Sequence, residues 1–128
     1  MFYLDSSIAL QAIFPTPDQA RLLSWFSANT TGLVSSRLLR TEVVRVLRRE
    51  NRPLDSAQWL LDRVNLIDIT RYIHARAESI ERHIKTLDAL HLATALSVNS
   101  VVTVLTHDQA MRDAAESLSL KALDLIPG

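Results

Sequence analysis

Two aspartates in this chain directly follow apolar segments of the kind that form buried strands. Asp5 comes immediately after Phe2–Leu4, and Asp108 lies just beyond Val101–Leu105. If both segments are parallel strands, their carboxyl ends meet at one edge of the sheet, where the sites of such folds lie. Either aspartate could instead be a helix N-cap. For Asp5 that alternative is weaker, because either of the two serines that follow it could cap the helix equally well.

A third carboxylate, Glu42, lies within a predicted helix over residues 37–50. It falls on or beside the apolar stripe of that helix. The stripe consists of Leu39, Val43 and Val46. Burying an unpaired carboxylate costs several kcal/mol, so Glu42 needs a partner or a metal ion. The alternative to a metal is a salt bridge to Arg45 or Arg49.

The fourth carboxylate, Asp88, is the only acidic residue of a helical segment over 86–95 that is apolar almost all round. It lies in the first turn, where the helix dipole stabilises an anion by roughly 0.3–1 kcal/mol. A buried helix cap is the alternative role, although Thr86 is expected to supply the cap. His91 lies one turn further on, and we interpret it as a hydrogen-bonded core residue rather than a catalytic one.

Four carboxylates gathered at one place raise one another's pKa or require a cation. Oxygen ligands in a chain without cysteine favour Mg²⁺ or Mn²⁺ over zinc. Such a site can hold one or two ions, orient a water molecule and stabilise an in-line displacement at phosphorus. The four residues therefore predict metal-dependent phosphoryl chemistry.

Alternating strand and helix patterns supply the elements that would position these residues. This alternation predicts one α/β domain over residues 1–128, with helices on both faces of a central parallel sheet of about five strands. None of the predicted strands alternates polar and apolar residues, as expected when both faces are covered. These strands are Phe2–Leu4, Gly32–Ser35, Leu66–Ile69, Val101–Leu105 and Ala122–Ile126.

Length and composition agree with a single globular domain. The chain has 128 residues and 14.4 kDa, with no cysteine and with 14 basic residues against 14 acidic ones. A cysteine nucleophile, an iron–sulfur cluster and disulfides are thereby excluded. The uncharged stretch over 89–107 contains too many polar residues for a membrane span, and the first residues lack the positive leader of a signal peptide. We therefore expect a cytoplasmic protein that does not contact a membrane.

The order of these motifs resembles that of the PIN-domain nucleases, and in particular of the VapC toxins of VapBC toxin–antitoxin pairs. The resemblance covers nearly the whole chain, and its most specific part is the Asp-Ala-Leu-His-Leu-Ala run that starts at Asp88. It is carried by Leu4-Asp5-Ser6-Ser7, by Glu42, by the segment Leu87–Ala95 and by Leu105-Thr106-His107-Asp108. One departure is His107, which stands where the family often has an aromatic residue.

The resemblance implies a three-layer α/β/α PIN-like fold and a Mg²⁺- or Mn²⁺-dependent endoribonuclease. Asp5 and Asp88 would be direct metal ligands, and Glu42 and Asp108 would complete the catalytic cluster directly or through water. Two hydroxyl groups, those of Ser7 and Thr106, would orient the carboxylates. The resemblance further implies an RNA substrate, a homodimer and a small VapB-type antitoxin that covers the active-site groove.

Arginines are concentrated in the helix that carries Glu42. Arg37 and Arg40 lie near its predicted start, on the side of the proposed site, and could contact RNA phosphates or an acidic segment of the antitoxin. The later arginines of this segment are expected to be solvated: Arg48, Arg49 and Arg52. The alternative to a nuclease is a catalytically silent PIN-fold protein-binding module, although the chain retains all four acids.

Overall fold

The computed structural model describes residues 1–29, 32–98 and 100–126, and over these residues it contains five strands and seven helices. Their order along the chain is β1 (Phe2–Leu4), α1 (Ser6–Ile13), α2 (Gln19–Ala28), β2 (Leu33–Ser36), α3 (Arg37–Arg49), α4 (Asp55–Leu61), β3 (Asn65–Ile67), α5 (Arg71–Glu78), α6 (Thr86–Leu96), β4 (Thr103–Leu105), α7 (Gln109–Ser117) and β5 (Lys121–Leu123).

The five strands form one parallel sheet in the order β3-β2-β1-β4-β5. This arrangement confirms the predicted fold class. The predicted bounds are correct for β1 and shifted by one to three residues elsewhere. Gly32 lies outside β2 and has a left-handed φ of 75°, a turn conformation that glycine adopts readily. The last strand ends at Leu123, before a turn in which the Ile126 amide donates to Asp124 Oδ1.

Successive residues of the central strands point to opposite faces of the sheet, and each face has its own apolar core. In β1, Leu4 packs into a core formed with α1, α2, α3 and α4, whereas Tyr3 packs into a core formed with α6 and α7. In β4, Leu105 and Val104 divide in the same way. The alternation is the period-two geometry of a strand covered on both sides, and it establishes the three layers.

Helix α3 begins directly where β2 ends, because Ser36 lies at the N-cap and its hydroxyl accepts a hydrogen bond from the Leu38 amide at 3.1 Å. The next element of interest, α6, begins differently. Its N-cap position is Lys85, with no side-chain cap, so the expectation that Thr86 caps this helix is wrong. Thr86 is instead the first helical residue, with Asp88 in the same turn.

Across the described ranges, no helix is both long enough and apolar enough to cross a membrane. The stretch over 89–107 is divided between the end of α6 and β4, as its polar content predicts.

Candidate active site

Asp5 occupies the N-cap position of α1 but does not cap the helix with its side chain. Its Oδ2 instead accepts hydrogen bonds from the hydroxyls of Ser7 and Thr106, both at 2.8 Å. No hydrogen bond within the described residues reaches its Oδ1, and no buried side-chain polar atom there lacks a partner. Oδ1 is therefore open to solvent, although the residue as a whole is 4% exposed. The carboxylate is held at one oxygen and free at the other.

Ser7 and Thr106 join the ends of β1 and β4 into one network. Their hydroxyls lie 3.2 Å apart. The backbone also takes part, since the His107 amide donates to Ser7 Oγ at 2.9 Å and the Asp108 amide donates to Thr106 Oγ1 at 3.1 Å. The segment that carries Asp108 is thus tied to the segment that carries Asp5.

Asp88 and Asp108 approach the same region from α6 and α7. Burial raises the pKa of the Asp88 carboxyl above its usual range, and the negative charges of Asp5 and Asp108 raise it further. His91 and Lys85 act in the opposite direction. The charges of Asp5 and Asp108 thus both act on Asp88, and we call these three residues the aspartate cluster. Asp88 and Asp108 also line a cavity of about 400 Å³.

Asp108 has the capping role that its position suggested. Its Oδ1 accepts hydrogen bonds from the Ala110 and Met111 amides at 2.9 and 3.3 Å. The other oxygen, Oδ2, has no partner among the described residues. Capping and ligand binding therefore do not compete for the same oxygen, because each uses a different one.

Glu42 does not pair with an arginine. Its Oε1 lies 2.6 Å from His91 Nε2, and its Oε2 accepts a hydrogen bond from the Ser6 hydroxyl at 3.2 Å. The alternative of a salt bridge to Arg45 or Arg49 is therefore wrong; Arg49 pairs with Glu50. Both oxygens of Glu42 are engaged, whereas each member of the aspartate cluster has a free oxygen.

His91 has a role that sequence reasoning missed. It is 0% exposed, as expected for a core residue, yet its two ring nitrogens join Glu42 to the Tyr3 hydroxyl. An available signal was its position three residues after Asp88, on the same face of α6. A lone histidine in an apolar helix does not disclose which distant residue it contacts.

The free oxygens of the aspartate cluster provide hard ligands at the carboxyl edge of the sheet, which fits Mg²⁺ or Mn²⁺. Within the described part of the chain, however, no three histidine, aspartate or glutamate side chains are grouped so that they could hold a metal ion as they stand. The predicted convergence of four carboxylates is therefore incomplete. Both oxygens of Glu42 are instead directed to His91 and Ser6.

Arg37 and Arg40 lie at the start of α3, beside the end of β2, as predicted. Arg37 is exposed and Arg40 is partly buried. Over residues 1–29, 32–98 and 100–126, neither guanidinium lies within 4.0 Å of a carboxylate. Both therefore remain available to an external anion.

The chain is similar in sequence to one family of known proteins. The family model described as the PIN domain matches residues 2–117. Ribonuclease VapC47 of Mycobacterium tuberculosis is 29% identical over 118 residues, covering 87% of both chains. Ribonuclease VapC46 of the same species is 30% identical over 124 residues, covering 94% of this chain and 95% of its own.

Two solved structures share the fold at lower identity. VapBC2 from Rickettsia felis, bound to a DNA fragment from its promoter, matches with a TM-score of 0.73 and 18% identity, covering 97% of this chain and 98% of that one. FitAcB from Neisseria gonorrhoeae matches with a TM-score of 0.71 and 17% identity, covering 98% of both chains.

Proposed function

The chain belongs to the PIN domain family and to its VapC group, and on that premise we propose that it is a metal-dependent endoribonuclease. It would hydrolyse RNA phosphodiester bonds as the toxin of a type II toxin–antitoxin pair. The relatives named ribonuclease VapC, which match over most of their length, support the nuclease activity.

The observation that carries the proposal is the aspartate cluster, in which each carboxylate keeps at least one oxygen without a hydrogen bond among the described residues. Asp5, Asp88 and Asp108 come from three separate parts of the chain, yet the charges of Asp5 and Asp108 both act on Asp88. A protein that used them only as caps or surface charges would gain nothing from this repulsion. A divalent cation would offset these negative charges, and this supports a metal site at the cluster.

In this proposal Asp5 and Asp88 hold the ion directly, and Glu42 and Asp108 complete the cluster directly or through water. Ser7 and Thr106 keep the Asp5 carboxylate in one orientation through its Oδ2, so that Oδ1 faces the ion. A bound Mg²⁺ or Mn²⁺ would supply an activated water and neutralise charge on the phosphate. Arg37 and Arg40 would bind neighbouring phosphates and keep the RNA strand across the cluster.

A VapB-type antitoxin is the proposed partner, because the named relatives are VapC proteins and one structural neighbour is a VapBC complex. We further propose a homodimer, on the family resemblance alone, and a cytoplasmic location, where the RNA substrate is found. Light scattering of the purified chain, with and without a co-expressed antitoxin, tests both assemblies.

Cleavage of total bacterial RNA by the purified chain tests the activity. Reactions with Mg²⁺, with Mn²⁺ and with EDTA are compared for the wild type and for Asp5→Asn. The matched control is Asp55→Asn, which removes the same charge from an exposed position on α4. We expect discrete fragments from the wild type and the control only when metal is present, and none from Asp5→Asn.

If no RNA is cleaved, calorimetry of Mn²⁺ binding distinguishes between two explanations. If Mn²⁺ binds without cleavage, the 5′ ends of RNA from a bacterial host that expresses the toxin are mapped to search for a rare substrate. If Mn²⁺ does not bind and no RNA is cut, the nuclease assignment is wrong, and the chain is a PIN-fold protein-binding module.

A further inference from the structure

A chain of hydrogen bonds runs from the backbone of β2 through the buried core to Glu42. The Ser36 amide donates to Tyr3 Oη at 3.1 Å, and Tyr3 Oη lies 2.6 Å from His91 Nδ1. On the other side of the ring, His91 Nε2 lies 2.6 Å from Glu42 Oε1. The chain of hydrogen bonds joins β1, α6 and α3.

These contacts favour the tautomer of His91 that carries its ring hydrogen on Nε2. Tyr3 Oη accepts the Ser36 amide hydrogen, so its own hydrogen is left to donate to His91 Nδ1. Burial raises the pKa of the Tyr3 phenol, which therefore keeps this hydrogen at neutral pH. With Nδ1 as an acceptor, the ring hydrogen of a neutral His91 lies on Nε2 and is donated to Glu42.

We propose that His91, fixed by Tyr3, is a positioning residue that holds the Glu42 carboxylate in the orientation the metal site requires. This inference rests on the proposed function, since it takes Glu42 to be part of that site. His91 does not touch the ion or the RNA in this proposal; it acts only through Glu42.

Burial and rigidity support a positioning role. The His91 side chain is 1% exposed, so water does not compete for its hydrogen bonds, whereas the Glu42 side chain is 22% exposed and faces outward in part. Ser6 contacts the other Glu42 oxygen from the residue next to Asp5. Glu42 is therefore held from both sides, by the helix that carries Asp88 and by the helix that follows Asp5.

If His91 had only a packing role, its substitutions would affect the metal site differently. If His91 only filled space, an apolar residue of similar size would serve the metal site equally well. A positioning role instead requires a hydrogen-bond donor at the place of Nε2. Glutamine provides such a donor, because its side-chain nitrogen reaches about as far from the backbone as Nε2 of histidine, whereas leucine does not.

The experiment measures Mn²⁺ affinity by calorimetry for wild type, His91→Leu, His91→Gln, Tyr3→Phe and Glu42→Gln, with kcat and KM for RNA measured in parallel. Leu60→Ala is the control, because it disturbs the opposite core without touching this chain of hydrogen bonds. Circular dichroism and thermal melts establish that each variant is folded.

We expect His91→Leu to weaken Mn²⁺ binding roughly 10- to 100-fold, the usual cost of removing a group that orients a ligand. His91→Gln should retain most of the affinity. Tyr3→Phe should weaken binding, because His91 Nδ1 loses its donor and Nε2 need no longer carry the hydrogen. For His91→Leu and Tyr3→Phe, kcat should fall while KM for RNA stays unchanged. Leu60→Ala should bind Mn²⁺ as the wild type does.

Equal Mn²⁺ affinity in wild type, His91→Leu and Tyr3→Phe would overturn the inference, and so would an unaffected Glu42→Gln. Tyr3→Phe preserves the ring and decides the question even if His91→Leu does not fold. Failure of the proposed function is a distinct result, since the wild type itself would then bind no Mn²⁺.

Discussion

The Thr106 hydroxyl donates a hydrogen bond to Asp5 Oδ2 at 2.8 Å, across 101 positions of sequence. Ser7 donates to the same oxygen from two residues away. Together the two hydroxyls hold Oδ2, so that the carboxylate has one structural and one available oxygen.

Thr106→Val removes one of these two donors while preserving the shape of the side chain. We expect Mn²⁺ affinity to fall about tenfold and the free energy of unfolding to fall by about 1–2 kcal/mol, measured by calorimetry and urea denaturation. Thr103→Val, at the start of the strand that precedes Thr106, is the control, because its hydroxyl makes no hydrogen bond to this network among the described residues. Equal affinity in the two variants would show that Ser7 alone orients Asp5.

Much of the fold follows from the sequence because the signals are local. A strand covered on both faces is a short apolar run, and all five runs correspond to strands. Helix caps are equally local: Thr70 accepts a hydrogen bond from the Ile73 amide, and Asp108 caps α7. These contacts span only two or three residues, so the residue type indicates where they can form, but Thr86 and Asp5 show that a suitable residue at a helix start does not always cap it.

The partners of Glu42 could not be predicted in this way. His91 lies 49 residues from Glu42 and 88 from Tyr3, and helical periodicity gives the face of a residue but not what lies opposite it. Nearby arginines were the obvious local partners, yet Glu42 instead contacts the imidazole of His91 in the core. A polar contact between elements depends on how the sheet and its helices pack, which a single sequence does not encode in any short motif.

Asp88→Asn should make the metal-free protein more stable at neutral pH. Burial and the charges of Asp5 and Asp108 raise the pKa of Asp88, so its carboxylate costs stability once it ionises. That cost is absent below the unfolded-state pKa of about 3.9, and it appears as the pH rises through the raised pKa of the folded state. Thermal melts in EDTA should show a gain of a few degrees at neutral pH that disappears in acid.

The same substitution should abolish the stabilisation that Mn²⁺ gives to the wild type. With Mn²⁺ present, Asp88→Asn should therefore be less stable than the wild type. Asp55→Asn serves as the control, because that exposed aspartate lies on α4, away from the cluster. A destabilised metal-free Asp88→Asn protein would instead indicate that Asp88 is a structural residue of α6.

Asp124→Asn should destabilise the protein at neutral pH but not in acid. Burial acts to raise the pKa of this carboxyl, yet it lies below the usual range because the Ile126 amide, His107 and Arg112 together stabilise the charged form. Its Oδ2 lies 2.9 Å from His107 Nδ1 and 2.7 Å from an Arg112 nitrogen. The stabilisation is present above the unfolded-state pKa of about 3.9 and is lost as the pH falls through the lowered folded-state value.

Urea denaturation of the wild type and Asp124→Asn should therefore differ by about 1 kcal/mol at neutral pH, and the difference should close in acid. Asp113→Asn is the matched control, since the one hydrogen bond of the Asp113 side chain within the described residues is to Gln109 on its own helix. A difference that persists unchanged at low pH would mean that Asp124 acts through packing rather than through its charge.

Replacing Arg37 and Arg40 together by glutamine should weaken RNA binding and its dependence on salt. For every phosphate of a single-stranded RNA that the variant no longer neutralises, the slope of log affinity against log salt should decrease by about 0.7. Fluorescence anisotropy in an Asp5→Asn background measures binding without cleavage. The control is Arg48→Gln with Arg49→Gln, at least two turns further along α3 and away from the end of β2. If the two pairs reduce the slope equally, the helix attracts RNA through its overall charge, and Arg37 and Arg40 do not position the strand at the aspartate cluster.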